Sequence, residues 1–200
     1  VALAHREKNE FLEKLEKLFI SSDLGEGIAL YQSLPVLPYP EDLAKRAAEG
    51  IRTNNTSIFQ AVAVRNPYPT DYFDENAWNQ VILKSLFIES PIFLIQGVDK
   101  RANETLANIL VEYAHERWSA GRDVSAELWR SVGPFINREM LPDLERELIH
   151  SRTTHQQAAI LALMDASAEE ASELMMKYDS LRNDVISKNI TWDDIGKKCL

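Results

Sequence analysis

Helical periodicity along almost the whole chain is the feature that most constrains its fold. Between residues 7 and 19 the apolar side chains recur at three- and four-residue spacing, which places them on one face of a helix. They are Phe11, Leu12, Leu15, Leu18 and Phe19. No segment alternates apolar and polar residues between turn residues, as a half-buried strand would, and the chain has only seven glycines. The pattern therefore predicts an all-α protein.

Start and stop signals divide the sequence into about ten short helices joined by short links. Asp23, Asn103 and Thr191 are typical N-cap residues, and Gly121 is a typical helix end. Short links place consecutive helices antiparallel, so we predict an irregular HEAT-like stack of antiparallel helix pairs in one domain over residues 1–200. No clean repeat period is visible, and a compact multi-helix bundle is the alternative.

Two segments give more specific predictions about the helices. The segment from Asp74 to Ile88 is apolar around nearly its whole circumference, which predicts a buried central helix. A short helix is predicted to begin at Ser125 and to run through Trp129.

Charge and cysteine usage exclude several classes of function. The net charge is −9, from 22 Lys and Arg against 31 Asp and Glu, and no segment is dense in basic residues. Since nucleic-acid binding needs a basic surface, DNA and RNA are excluded as partners. Cys199 is the only cysteine, so the chain has neither a disulfide framework nor a cysteine zinc site, which fits a reducing compartment.

The sequence predicts no transmembrane segment. The most hydrophobic window, residues 81–98, contains Lys84 and Glu89 and is interrupted by Pro91, whereas a spanning helix needs about 20 nearly uncharged residues. The first residues lack the long apolar core of a signal peptide, unless one has been removed. We expect a soluble cytoplasmic protein, with peripheral attachment to the inner membrane as the alternative.

Polar and aromatic side chains interrupt the apolar helices throughout residues 37–135. The recurring segments are Leu37-Pro38-Tyr39-Pro40, Arg46-Ala47-Ala48-Glu49-Gly50-Ile51-Arg52-Thr53-Asn54, Asn66-Pro67-Tyr68-Pro69, Asp71-Tyr72-Phe73, Ala77-Trp78-Asn79-Gln80, Gly97-Val98-Asp99-Lys100-Arg101-Ala102-Asn103, Tyr113-Ala114-His115-Glu116-Arg117-Trp118 and Glu127-Leu128-Trp129-Arg130. This block resembles the EboA-domain family, an all-helical bacterial group. The tail resembles the family more loosely, through an alanine-rich helix and Thr191-Trp192-Asp193.

The resemblance implies a biological setting and no chemistry. Members of the family are encoded beside a prenyltransferase-like membrane protein and several proteins that resemble metabolic enzymes. The cluster is associated with the export or maturation of secondary metabolites, including the scytonemin pathway. The resemblance transfers no catalytic residue and no cofactor to this chain.

Arg117 is the most unusual position in its helix. At about 100° per residue it falls within the apolar arc, whereas His115 points to roughly the opposite side. A buried guanidinium is costly unless it is paired. Either it forms a structural ion pair with Asp71, Asp74 or Asp99, or it lines a cavity and binds a carboxylate or phosphate.

A larger set of side chains completes the predicted ligand-binding site. It contains Arg52, Tyr68, Tyr72, Asp99, Arg101, His115 and Arg117. Tyr68 and Tyr72 either form the rim of a groove or fix the turn that precedes the next helix. We predict that the cationic and phenolic groups of this set converge on one recess.

Metal and catalytic motifs give little support for an enzyme. Glu112-x-x-His115 and Glu147-x-x-His150 have the spacing of di-iron carboxylate proteins. The second motif lies on a short polar helix, so we assign no metal and no cofactor. The sequence also contains no Gly-x-Ser-x-Gly elbow, phosphate loop, dinucleotide fingerprint or His-Glu-x-x-His motif.

We therefore predict a non-enzymatic binding or adaptor protein of a scytonemin-like export or maturation pathway. Its predicted partners are a small or prenylated metabolite, pathway enzymes, or the membrane prenyltransferase-like protein. The alternative is an enzyme of unknown reaction that uses Arg117, His115 and a nearby carboxylate. A structural adaptor without a pocket is the third possibility.

Overall fold

The computed structural model describes residues 7–200, and these residues contain helices and no strand. The all-α prediction is therefore confirmed, while the HEAT-like arrangement stays a prediction. The chain divides into two compact units, residues 1–81 and residues 82–200. The division does not test whether residues 1–200 form a single domain, which stays a prediction. Among the described residues, none of the helices is both long enough and apolar enough to cross a bilayer.

The first unit is built from short helices, and side chains cap the helices Leu24–Ser33 and Thr56–Ala63. It contains α1 (Lys8–Ser21), α2 (Leu24–Ser33), α3 (Ala44–Arg52), α4 (Thr56–Ala63), α5 (Tyr68–Tyr72) and the start of α6 (Glu75–Phe87), with 3-10 turns at Leu34–Val36 and Pro40–Leu43. Asp23 caps α2 in a reciprocal capping box with Glu26, as its sequence position predicted.

Helix α4 packs against both α2 and α3. Gly50 permits this close packing, because a Cβ atom there would lie 2.6 Å from the Tyr31 ring and 2.8 Å from Val62. The buried Asn66 amide donates to the carbonyl oxygens of Tyr31 and Ala61 at 3.2 and 2.9 Å. A polar side chain therefore ties the turn after α4 to the end of α2.

The second unit has one central helix. It contains the end of α6, α7 (Glu104–Ser119), α8 (Leu128–Val132), α9 (Leu141–Leu148), α10 (Thr153–Asp165), α11 (Glu169–Met176), α12 (Asp179–Ser187) and α13 (Trp192–Lys198), with 3-10 turns at Ile92–Leu94 and Gly133–Phe135. Helix α10 packs against α8, α9, α11, α12 and α13. Its alanines Ala158, Ala159 and Ala162 are fully buried, and such small side chains allow several helices to approach one axis.

Two sequence predictions need correction. Phe87, at the end of α6, was predicted to be part of a buried helix but is 71% exposed. An apolar circumference shows which side chains a helix can bury, but it does not show which of them a neighbouring element covers. The short helix predicted from Ser125 begins at Leu128 instead. The reason is a local turn, in which the Ser125 hydroxyl accepts the N–H of Glu127 at 3.3 Å and its carbonyl accepts the N–H of Leu128 at 3.1 Å.

Glu127 joins this turn to the 3-10 turn at Ile92–Leu94. Its side chain is buried, and its carboxylate accepts the N–H of Phe93 at 2.7 Å. Burial raises the pKa of the Glu127 carboxyl, although hydrogen bonds from the Phe93 and Ile92 backbone and the nearby Arg130 oppose the increase. The folded protein therefore binds this proton more tightly than the unfolded chain does.

Replacement of Glu127 is expected to change both stability and its pH dependence. Glu127→Ala should lower the free energy of unfolding by about 1–3 kcal/mol, because the Phe93 N–H loses its acceptor. In the wild type, the contribution of Glu127 to stability should be greatest below its ordinary pKa of 4.5 and decrease as the pH rises through the higher folded value. Urea titrations at several pH values should show this slope in the wild type and not in Glu127→Gln, whose amide oxygen still accepts the hydrogen bond.

Candidate functional site

A cavity of about 360 Å³ lies within the second unit. Its wall is formed by the end of α6 and the turn after it, the end of α7, the segment 123–127, the start of α10 and the end of α13. The charged or titratable side chains that line it include Glu89, Arg117, Asp123, Arg152, His155 and Lys198. A volume of this size fits a small molecule.

Asp123 is the centre of the polar wall. Its carbonyl oxygen accepts two hydrogen bonds from the Arg117 guanidinium, at 3.1 Å from Nε and 2.9 Å from Nη2. Its carboxylate contacts Nη2 of Arg152, and Nε2 of His150 lies 3.2 Å from the same oxygen. Burial would raise the pKa of the Asp123 carboxyl, but the nearby His155, His150 and Arg152 outweigh it and lower the pKa.

A buried histidine–carboxylate pair supports this wall from behind. Nδ1 of His155 lies 2.6 Å from Oε2 of Glu147, and the two residues are 3% and 0% exposed. Because the Glu147 carboxylate accepts a hydrogen bond from the Nδ1–H group, the ring is held in one orientation. His155 also lines the cavity, and its Nε2 has no hydrogen-bond partner among residues 7–200. The ring therefore offers one unused nitrogen in a largely buried position.

Asp123, His150 and His155 are close enough to suggest a metal site, since their candidate ligand atoms lie within 4.8 Å of one another. The hydrogen bonds argue against it. Nδ1 of His150 accepts the backbone N–H of Arg152 at 3.0 Å, so a neutral His150 carries its proton on Nε2, towards Asp123. A metal would need a lone pair at that nitrogen, and Arg152 already supplies a positive charge to Asp123. The geometry favours a hydrogen-bonded network.

Among the described residues, the motifs Glu112-x-x-His115 and Glu147-x-x-His150 do not come together in one cluster. His115 lies on the exposed side of α7 and pairs with Asp143 at 2.9 Å. Glu147 pairs with His155, whereas His150 contacts Asp123.

Arg117 is the one member of the predicted site that the structure places in this cavity. Of the two alternatives for Arg117, the ion pair with Asp71, Asp74 or Asp99 is wrong, because the guanidinium donates to the Asp123 carbonyl oxygen and not to a carboxylate. Asp99 instead pairs with Arg130 at 2.6 Å. Asp99, Arg101 and His115 belong to the second unit but are not among the lining residues.

The other predicted residues belong to the first unit. Arg52 is exposed at the end of α3. Tyr68 is fully buried, and its hydroxyl donates to the Pro40 carbonyl, so it anchors the turn and does not form a groove rim. Burial raises the pKa of the Tyr68 hydroxyl. The Tyr72 ring packs 4.9 Å from the Tyr68 ring.

Sequence reasoning missed Asp123, Arg152, His155 and Lys198. They come from three separate segments, and only the folded contacts between α10, α13 and the turn after α7 bring them to one cavity. For Arg152 and His155 alone, the sequence offered a local indication, because both lie at the start of the helix α10.

Comparison with known proteins gives the family. The sequence profile described as metabolite traffic protein EboA matches residues 1–133 of the 200. The chain belongs to the EboA family. The resemblance predicted from the central block is therefore confirmed, and the family description points to a role in metabolite traffic. No curated protein and no solved structure matches the chain.

The EboA match covers only part of the cavity wall. Arg117 and Asp123 lie inside the matched stretch, whereas Arg152, His155 and Lys198 follow it. The cavity is thus shared between the family segment and the last helices of the chain.

Proposed function

We propose that this EboA protein is a non-enzymatic binding component of metabolite traffic, which holds a small polar metabolite in the cavity of its second unit. One observation carries the proposal: Arg117 and Arg152, from different helical segments, meet at Asp123 in the wall of a 360 Å³ cavity. Convergent polar groups around a concave volume are typical of small-molecule sites. The family description supports the same role.

The geometry gives less support to the enzyme alternative. That alternative needs Arg117, His115 and a carboxylate to act on one substrate. Arg117 lines the cavity, but His115 contacts Asp143 and is not a lining residue. The carboxylate of Asp123, whose carbonyl oxygen binds Arg117, is engaged by Arg152 and His150. These contacts suit a rigid binding wall better than proton transfer.

The charged lining favours a small polar ligand over a prenyl chain, which would need a long apolar channel. In the proposed setting, a scytonemin-like export or maturation pathway, the protein passes this ligand between pathway enzymes or to a membrane prenyltransferase-like protein. It acts in the cytoplasm or at the inner face of the membrane.

Native mass spectrometry of the untagged protein from its own cells tests this proposal. We expect a bound small molecule in the wild type. Thr154 lines the cavity, so Thr154→Trp should fill it and remove the bound mass. Thr153 is exposed beside it and is not a lining residue, so Thr153→Trp should retain the bound mass and serves as the matched control.

A folded wild type without any bound mass would contradict the proposal and favour a structural adaptor. Retention of the same mass in Thr154→Trp would also contradict it, because the molecule would then bind elsewhere. Circular dichroism of both tryptophan variants should match the wild type, which excludes loss of binding through unfolding.

A further inference from the structure

We infer that the ligand of this cavity carries an oxyanion, a carboxylate or a phosphate, which contacts Arg117, Arg152, His155 and Lys198. The inference rests on the proposed function and names the chemical class of the ligand. It depends on three features of the cavity: unused donors on its cations, prior engagement of two of its carboxylates, and one buried imidazole without a partner for Nε2.

The cations of the wall retain hydrogen-bond donors. Arg117 uses Nε and Nη2 for the Asp123 carbonyl, which leaves Nη1 unused. Arg152 uses Nη2 for the Asp123 carboxylate, which leaves Nε and Nη1. Lys198 donates to Gln157 at 3.0 Å, and an ammonium group has further N–H donors. Guanidinium groups with free N–H donors match carboxylate and phosphate oxygens.

Two carboxylates of the wall are already satisfied within the protein. Asp123 is held by Arg152 and His150, and Glu127 accepts the backbone N–H of Phe93. Their negative charge therefore meets donors of the protein and does not require a cationic ligand. Glu89 is the third carboxylate of the wall and, like Asp123, it is exposed. Since three cations face three carboxylates in the wall, the preference for an anion comes from the unused donors of the cations and the prior engagement of Asp123 and Glu127, and not from a net positive charge.

His155 presents its second ring nitrogen to the same wall. The Glu147 carboxylate engages Nδ1, which leaves Nε2 for a hydrogen bond to the ligand. The residue is 3% exposed and lines the cavity, so this nitrogen can be satisfied by a molecule inside it. No side chain caps the N-terminus of α10, whose partial positive charge also favours an anion.

Calorimetric titration with two probes, inorganic phosphate and malonate, tests the inference and separates the two anion classes. Wild type should bind one or both saturably. Arg152→Gln and Lys198→Gln should each weaken binding by roughly tenfold, because each removes a charge-assisted hydrogen bond. Arg122→Gln and Lys197→Gln, at exposed neighbouring positions outside the lining, are the matched controls and should bind as the wild type does.

Glu89→Gln provides a change of opposite sign. Removal of its negative charge from the wall should strengthen binding of either probe by roughly two- to fivefold at low salt. Equal losses in the lining and control variants would overturn the inference, because they would indicate general surface attraction. Binding of zinc ions that is lost in His150→Ala, together with no binding of either anion, would also overturn it and restore the metal interpretation.

Failure of this inference can be distinguished from failure of the proposed function. If the molecule that copurifies with the protein remains bound in Arg152→Gln/Lys198→Gln but is lost in Thr154→Trp, the cavity binds a ligand that is not anchored as an anion. If it remains bound in all variants, the proposed function itself is wrong.

Discussion

Replacement of His155 with leucine is expected to lower the free energy of unfolding by about 3–5 kcal/mol, because it leaves a buried carboxylate without its partner. Glu147 is fully buried, and Oε2 bonds only to His155 while Oε1 has no partner among the described residues. Urea denaturation followed by circular dichroism measures this change directly.

Two further variants identify the cause of that loss. Glu147→Leu/His155→Leu should regain most of the lost stability, since replacing both members of a buried pair with apolar residues is often close to neutral. His115→Leu is the matched control, because the His115–Asp143 pair lies at the surface and should contribute less than about 1 kcal/mol. A double variant as unstable as His155→Leu would contradict the assigned role of the pair.

Gly196→Ala is expected to destabilise the protein by about 1–3 kcal/mol through overpacking. A Cβ atom at Gly196 would lie 2.5 Å from Cβ, Cγ and Cδ1 of Phe93. Cβ of Phe93 is fixed to the backbone, so rotation of the side chain cannot relieve the contact. Helix α13 would have to move away from the 3-10 turn at Ile92–Leu94, and both elements carry residues of the cavity wall.

Thermal unfolding of Gly196→Ala and Gly25→Ala separates overpacking from the general effect of a glycine replacement. Gly25 lies in α2, and the nearest atom to an added Cβ would be 3.5 Å away. Gly25→Ala should therefore raise stability by about 0.5–1 kcal/mol, because alanine favours a helix. A Gly196→Ala variant as stable as the wild type would show that α13 does not pack against Phe93 as described.

The helical fold was predictable because its signals are local. Asp23, Asn103 and Thr191 each accept a backbone N–H three residues ahead, so their chemistry marks a helix start without any tertiary contact. The exposure of Phe87 and the start of α8 were predicted wrongly, because the first depends on distant packing and the second on a competing serine turn.

The candidate site was predictable only at Arg117, whose place on an apolar helix face is anomalous in the sequence itself. Its partner was not, because a backbone carbonyl leaves no mark in the residue pattern. Asp99 was a plausible partner for Arg117, but it pairs with Arg130, which α8 brings to the same region. Arg152 and His155 were not predictable, because their places in the site depend on the turn between α9 and α10. This turn brings Glu147 to the ring of His155.

The most direct test of a ligand-binding cavity is nuclear magnetic resonance of the ¹⁵N-labelled protein mixed with the small-molecule fraction of its own cells. We expect saturable shifts of the backbone amides that line the cavity, at Asp123, Val124, Thr154 and His155. The Thr154→Trp variant should show none of these shifts. Shifts confined to the first unit, or no saturable shift at all, would contradict a ligand site in this cavity.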